Sequence, residues 1–105
     1  MTYAYVVDVP APIEMYDVTH DEIMKEPTSA GEGLLVHLAR PTSTGFQIIE
    51  VWETKEQADR FNEEVVAPIV DRLTPRDAEA QPAPPRQEFE VRGLVIPKAQ
   101  VFVQS

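Results

Sequence analysis

A histidine, a tryptophan and an acid are spaced so that a single sheet face could gather them. Suppose Leu34–Arg40 and Phe46–Trp52 pair as a hairpin with its turn centred on Ser43 and Thr44. His37 then falls opposite Glu50, and Leu35 opposite Trp52. Side chains alternate along a strand, so all four share one face. A carboxylate beside an imidazole orients the ring and raises its basicity, which suits a general base. His37 and Glu50 are therefore the candidate catalytic pair. Trp52 would offer a flat aromatic wall to a planar ligand. Tyr16 and His20, four apart on the inner stripe of a first helix, point at the same space if that face is the helix-facing one.

Plainer readings stand beside these. A histidine opposite a glutamate inside a sheet is about as often a structural hydrogen-bonded pair as a base, and tryptophan is more often core than ligand wall. Tyr16 and His20 also fit simple packing. A metal site from His20, His37 and Glu50 has suitable ligand types. The two histidines nevertheless lack HxH or HxxxH spacing, and neither a metal nor another cofactor is expected. Gly31-Glu32-Gly33 is a turn rather than a phosphate cradle, and no serine sits in a nucleophile-elbow context. The absence of cysteine excludes disulfides, thiolate metal sites and a cysteine nucleophile.

The elements that must hold these residues follow from the pattern. Tyr3–Val9 is β-branched and aromatic and stops at Pro10, as a strand does. Ile13, Tyr16, His20, Ile23 and Met24 then mark one face of a helix. That helix should end near Glu26, because Pro27 disfavours helical geometry before it. Residues 28–33 form a loop, and strands two and three follow. Thr54-Lys55-Glu56-Gln57 is a capping box. It opens a second helix with an apolar stripe of Ala58, Phe61, Val65, Ile69 and Leu73, which Pro68 should kink or shorten. Glu88–Ile96 is expected as a fourth strand bent at Gly93. Val101–Val103 could add to a sheet edge, its own or a partner's.

Residues 1–105 thus form a single α+β domain with a core over 3–73 and 87–96, a proline-rich connector over 74–86 and a tail over 97–105. The order β-α-β-β-α-β is the ferredoxin-like plan with an antiparallel sheet, whose helices cover one face only. Here the strands carry large apolar groups on both faces. A second copy packed sheet to sheet would cover the open one, so a homodimer is expected.

Gly33-x-x-x-His37-x-Ala39-x-Pro41, Gly45, Glu50-Val51-Trp52-Glu53, Phe61 and Pro68, with the Tyr16-Asp17 pair, resemble the dimeric α/β-barrel superfamily. The closest likeness is to the uncharacterised actinobacterial-type branch related to the antibiotic biosynthesis monooxygenases. The resemblance spans about residues 5 to 73. It implies a face-to-face dimer and a sheet–helix pocket that could take a small planar or aromatic metabolite. It also admits a cofactor-independent monooxygenase acting on a phenolic or polyketide-like substrate. A third reading is an accessory dimer with a filled core. Active monooxygenase-like and haem-degrading members of the superfamily often pair the strand-three tryptophan with a histidine about ten residues on, and haem-degrading members also carry a strand-one asparagine. Phe61 and Asn62 occupy the first region and strand one lacks the asparagine, which argues against haem. Phe61 and Asn62 join Trp52, Tyr16 and His20 as candidate ligand-binding residues.

The net charge of −9 repels nucleic acid and anionic membrane, so neither is expected as a partner. The first residues lack the basic stretch of a signal peptide, and no apolar run approaches membrane-spanning length. A cytoplasmic setting is the expectation.

Overall fold

A computed structural model describes residues 2–75, 83–99 and 101–104. It is an α+β structure built on a four-stranded antiparallel sheet. Strands β1 (Tyr3–Val9), β2 (Leu34–Pro41), β3 (Phe46–Trp52) and β4 (Gln87–Phe89) lie in the order β2-β3-β1-β4. Helix α1 (Ile13–Ile23) links the first two strands. After β3 come α2 (Lys55–Phe61), a π turn (Asn62–Val66) and α3 (Ala67–Leu73). This arrangement is compatible with the ferredoxin-like plan.

The local chemistry explains the boundaries. Helix α1 stops at Ile23, three residues before Glu26. Its exit tightens to i→i+3 bonds, Lys25 N–H to Glu22 O and Glu26 N–H to Ile23 O, ahead of Pro27. Met24, expected on the inner stripe, caps this helix and is exposed. At the start of α2 the Thr54 hydroxyl accepts the Gln57 amide at 3.2 Å, while the Gln57 side chain accepts the Thr54 amide at 3.1 Å, completing the capping box. The helical run passes through Pro68 rather than ending there. Pro68 occupies the first turn of α3, where a missing amide is tolerated. Just before it, Ala67 N–H reaches back to Asn62 O, the longer bond of a π turn.

Two glycines matter to the frame. Gly33 has a φ of 95°, open to glycine at no cost, and a Cβ there would run into the Gln57 side chain of the capping box. Its carbonyl accepts Glu53 N–H at 2.8 Å, fastening the entry of β2 to the exit of β3. At Gly45 a Cβ would lie 2.0 Å from the Val9 carbonyl oxygen, so the β2–β3 hairpin turn can pass the end of β1 only without a side chain.

The C-terminal part departs from expectation. Glu88–Ile96 is not one strand. Only Gln87–Phe89 joins the main sheet, pairing with Ala4–Val6. Beyond Phe89 the chain leaves the sheet, and β5 (Gly93–Ile96) pairs with β6 (Val101–Gln104) in a separate two-stranded sheet. Gly93 thus begins a new strand rather than bending an old one, and the 101–103 tail does find an edge, that of β5. Residues 76–82 of the proline-rich connector lie outside the described residues.

Register assigns the faces. Tyr3, Tyr5, Val7 and Val9 share the helix-covered face with Phe46, Ile48, Glu50 and Trp52. Tyr5, Trp52 and Ala58 form the buried core, with Tyr3, Val7, Leu34 and Phe61 packed around them. The opposite face carries Val6, Val36, Leu38, Ile49 and Phe89. Leu38 is 52% exposed and Phe89 44% exposed, so this face keeps an uncovered apolar surface. Across it, Arg40 Nε donates to Gln47, and Gln47 donates to Asp8.

Candidate functional site

The pairing of β2 with β3 sets His37 opposite Glu50, as the alternation requires. The two strands then slip. A bulge between Leu34 and Val36 leaves Leu35 without a partner and brings Leu34, not Leu35, opposite Trp52. The slip turns Leu34 onto the His37 face, where it joins the core beside Trp52.

Glu50 is the centre of the site. It is only 8% exposed, and its two oxygens receive three side-chain donors. Oε1 accepts both the Tyr5 hydroxyl and the Trp52 indole N–H, the latter at 2.9 Å. Oε2 faces His37 Nδ1 at 2.6 Å. Burial works against ionising this carboxyl. Hydrogen bonds from His37, Tyr5 and Trp52 outweigh it and hold the group below its ordinary range. A carboxylate can only accept, so Nδ1 of His37 carries the proton and Nε2 presents its lone pair.

That lone pair meets Tyr16. The Tyr16 hydroxyl lies 2.6 Å from His37 Nε2 and 3.2 Å from His20 Nδ1. Tyr16 keeps its proton more tightly than an ordinary phenol, through burial and then the charges of Glu50 and Asp17. It therefore donates to His37, and His20 Nδ1–H donates to it. The three rings lie within 19° of parallel, with centroids 5.2 to 5.9 Å apart. Phe46 tilts against Tyr16 from the sheet. A continuous chain of hydrogen bonds thus runs His20–Tyr16–His37–Glu50 and forks to Tyr5 and Trp52. Its inner end is buried; its outer end, the two imidazoles and the phenol, is half-buried.

Five of the seven residues marked in the sequence meet here: His37, Glu50, Trp52, Tyr16 and His20. Trp52 is fully buried, so it shows no face to solvent and serves Glu50 as a donor. Phe61 packs on Trp52 at 5.5 Å between centroids. Asn62 is exposed at the start of the π turn and does not join the chain. Two residues of the network were not marked. Tyr5 sits opposite Glu50 in the β1–β3 register, a pairing that strand alternation alone does not specify. Arg86, at the end of the proline-rich connector, stacks on the Tyr5 ring at 4.4 Å and bonds Asp59 at 2.6 Å and the Tyr3 hydroxyl at 3.2 Å. The burial of Tyr5, then the Glu50 charge and hydrogen bond, push its phenol well above the usual tyrosine range.

The best-formed cavity, about 130 Å³, lies elsewhere, between residues 29–32 and α2, lined by Ser29, Glu32, Gln57, Arg60, Phe61 and Glu64 among others. A second, shallow one lies at the β4 edge beside Tyr3 and Phe89. Neither is lined by His37, Glu50 or Trp52, so a ligand would meet His37 from the half-buried outer end. Among the described residues, no helix is long and apolar enough to cross a membrane, and no three His, Cys, Asp or Glu side chains group to hold a metal.

Compared with known proteins, the chain matches no family model, no curated protein and no solved structure.

Proposed function

We propose that this chain is a dimeric α/β-barrel protein that binds a small planar phenol or related aromatic metabolite at His37. One observation carries the reading. A carboxylate-backed imidazole already holds a phenol, that of Tyr16, with 2.6 Å on each side of the ring. A ligand phenol presenting the same O–H would take the place of Tyr16 at the same acceptor, with the proton on Nδ1 kept in place by Glu50. The ring would lie against the half-buried edge formed by His20 and Tyr16.

The carboxylate behind the imidazole favours a second reading. A base so oriented could take the phenol's proton and leave an electron-rich anion for O₂, the chemistry of a cofactor-independent monooxygenase. The complete burial of Trp52 favours a third, an accessory dimer with a filled core. In all three, a second copy covers the sheet face bearing Leu38 and Phe89.

Hydroquinone and an anthrone-type phenol are the probes. Under the first reading either one shifts the His20 and His37 ring resonances of the native chain, and His37→Ala removes the shift at His20 while the fold persists. Oxygen uptake lost with the same variant selects the monooxygenase. No shift and no uptake at millimolar probe leaves the accessory dimer. Light scattering that finds a monomer at micromolar concentration would refute the shared dimer.

A further inference from the structure

We infer that the cavity between residues 29–32 and α2 binds a small aliphatic α-amino acid, its carboxylate held by Arg60 and its ammonium by Glu32 and Glu64. The cavity measures about 130 Å³. An apolar cavity of about 150 Å³ takes one benzene, so this one suits a ligand of about eight non-hydrogen atoms or fewer.

The charged groups around it lack partners. Arg60, Glu32 and Glu64 all line the space, yet among the described residues none of the three forms an ion pair or a side-chain hydrogen bond. The other described arginines do: Arg40 with Gln47, Arg72 with Glu22, Arg86 with Asp59 and Arg92 with Glu90. Arg60 and Glu64 are four apart and would be neighbours on a plain α-helix. The π turn beginning at Asn62 intervenes, and they do not pair. Wide turns of this kind inside helices frequently mark functional sites. Gln57 adds a donor. Its Oε1 is taken by the Thr54 amide and hydroxyl, which leaves its NH₂ unpartnered at the cavity. The remaining wall is apolar, made by buried Val65 and by Phe61, whose ring packs on Trp52.

The charge types select the ligand. A lone anion would meet two carboxylates, and a lone cation would meet a guanidinium. A ligand carrying both charges a few atoms apart gives every protein charge an opposite partner, in charge-assisted bonds. A short aliphatic side chain then covers Phe61 and Val65, and the volume leaves no room for an aromatic one. The inference does not depend on a phenolic ligand at His37, which lines no part of this cavity.

The test titrates the full chain with L-valine and follows its amide and histidine-ring resonances. The amides of residues 29–32 and 60–65 should shift together and saturate at millimolar ligand, while the His37 ring stays in place. Isobutylamine, which lacks the carboxylate, and isovalerate, which lacks the ammonium, should each bind about 10-fold more weakly or worse. Arg60→Gln should weaken L-valine by about 10-fold without weakening isobutylamine. The double variant Glu32→Gln, Glu64→Gln should weaken L-valine without weakening isovalerate. All three side chains are exposed, so circular dichroism should be unchanged. No saturable shift at tens of millimolar L-valine would overturn the inference. So would an analogue that matches L-valine, which would reduce the site to one for a bare cation or a bare anion. Binding that both variants leave unaltered would place the ligand elsewhere and overturn it too.

Discussion

Replacing Glu50 by glutamine tests how much of the fold hangs on one buried carboxylate. The change keeps the shape and removes the charge. An amide has one accepting oxygen, and Tyr5 and Trp52 both need it. Its NH₂ must then face His37 Nδ1, itself a donor. The clash is relieved only if His37 moves its proton to Nε2, which makes the Tyr16 hydroxyl accept there and turns its own proton toward His20. The charge leaves all three bonds to this side chain and two tautomers must shift, a cost of about 2–3 kcal/mol. For a domain whose whole stability is about 5–15 kcal/mol that is a large fraction. At this chain length it should lower the thermal midpoint by roughly 10–15 °C. Acid sharpens the test. The carboxyl titrates lower in the folded chain than its ordinary 4.5, so the unfolded chain binds more protons in that range. Its contribution is complete above pH 4.5 and is lost as pH falls through the lower folded value. The native chain should therefore approach the variant's stability as the solution is acidified through that window. Unfolding monitored by near-ultraviolet circular dichroism at pH 7 and along an acid series reads both effects. A midpoint drop under about 2 °C at pH 7, or a gap that stays constant into strong acid, would refute the reasoning.

Three further outcomes follow from the same structure. Tyr3, Tyr5 and Tyr16 all titrate above the ordinary 10.0. Spectrophotometric titration should show little tyrosinate until pH exceeds 10, with Tyr5 ionising only as the chain unfolds, because its neutral-form stabilisation holds below pH 10 and fades above it. Thr54→Ala removes the hydroxyl that caps α2 and should cost about 1 kcal/mol in urea unfolding, with unchanged slope. Gly45→Ala drives a methyl into the Val9 carbonyl and should destabilise by more than the Thr54 change, a ranking that the same urea experiment checks.

What the sequence shows and hides divides along physical lines. β1 has the bounds its composition and Pro10 imply, β3 those its alternation and Gly45 imply, and the capping box forms as its residues specify. His37, Glu50 and Trp52 meet Tyr16 and His20 because periods of two and of about 3.6 are local properties of a chain. The Leu35 bulge is not local, since it depends on how β2 seats Leu34 beside Trp52. Tyr5 and Arg86 were hidden for a related reason. Their roles arise from pairing across 45 residues, in the Tyr5–Glu50 bond, and from a contact at the end of a proline-rich connector whose course composition does not reveal. Val91, Leu94, Val95 and Ile96 have strand character wherever they pair, so composition does not mark the break after Phe89. Only tertiary contacts decide between one sheet and two.

The π turn bears on how this helix can tolerate change in length. Ala58, Phe61, Val65 and Ile69 recur mostly at intervals of four, and each such interval overshoots a full α-helical turn by about 40°. Unrelieved, that drift would carry Ile69 away from the sheet that buries Phe61 and Val65. The wider turn at Asn62–Val66 winds back by a similar angle, and Val65 and Ile69 both remain buried. Past it the drift resumes, and Leu73 emerges at 38% exposure. The turn behaves as one residue too many, absorbed where Pro68 had already removed an amide donor from the ladder. Deleting Glu63 or Glu64 would therefore close the wide turn to a plain α-helix and leave everything beyond in phase. The helix can thus shorten by one exposed residue at this point, and at no other along the stripe, without unseating Ile69 from the sheet.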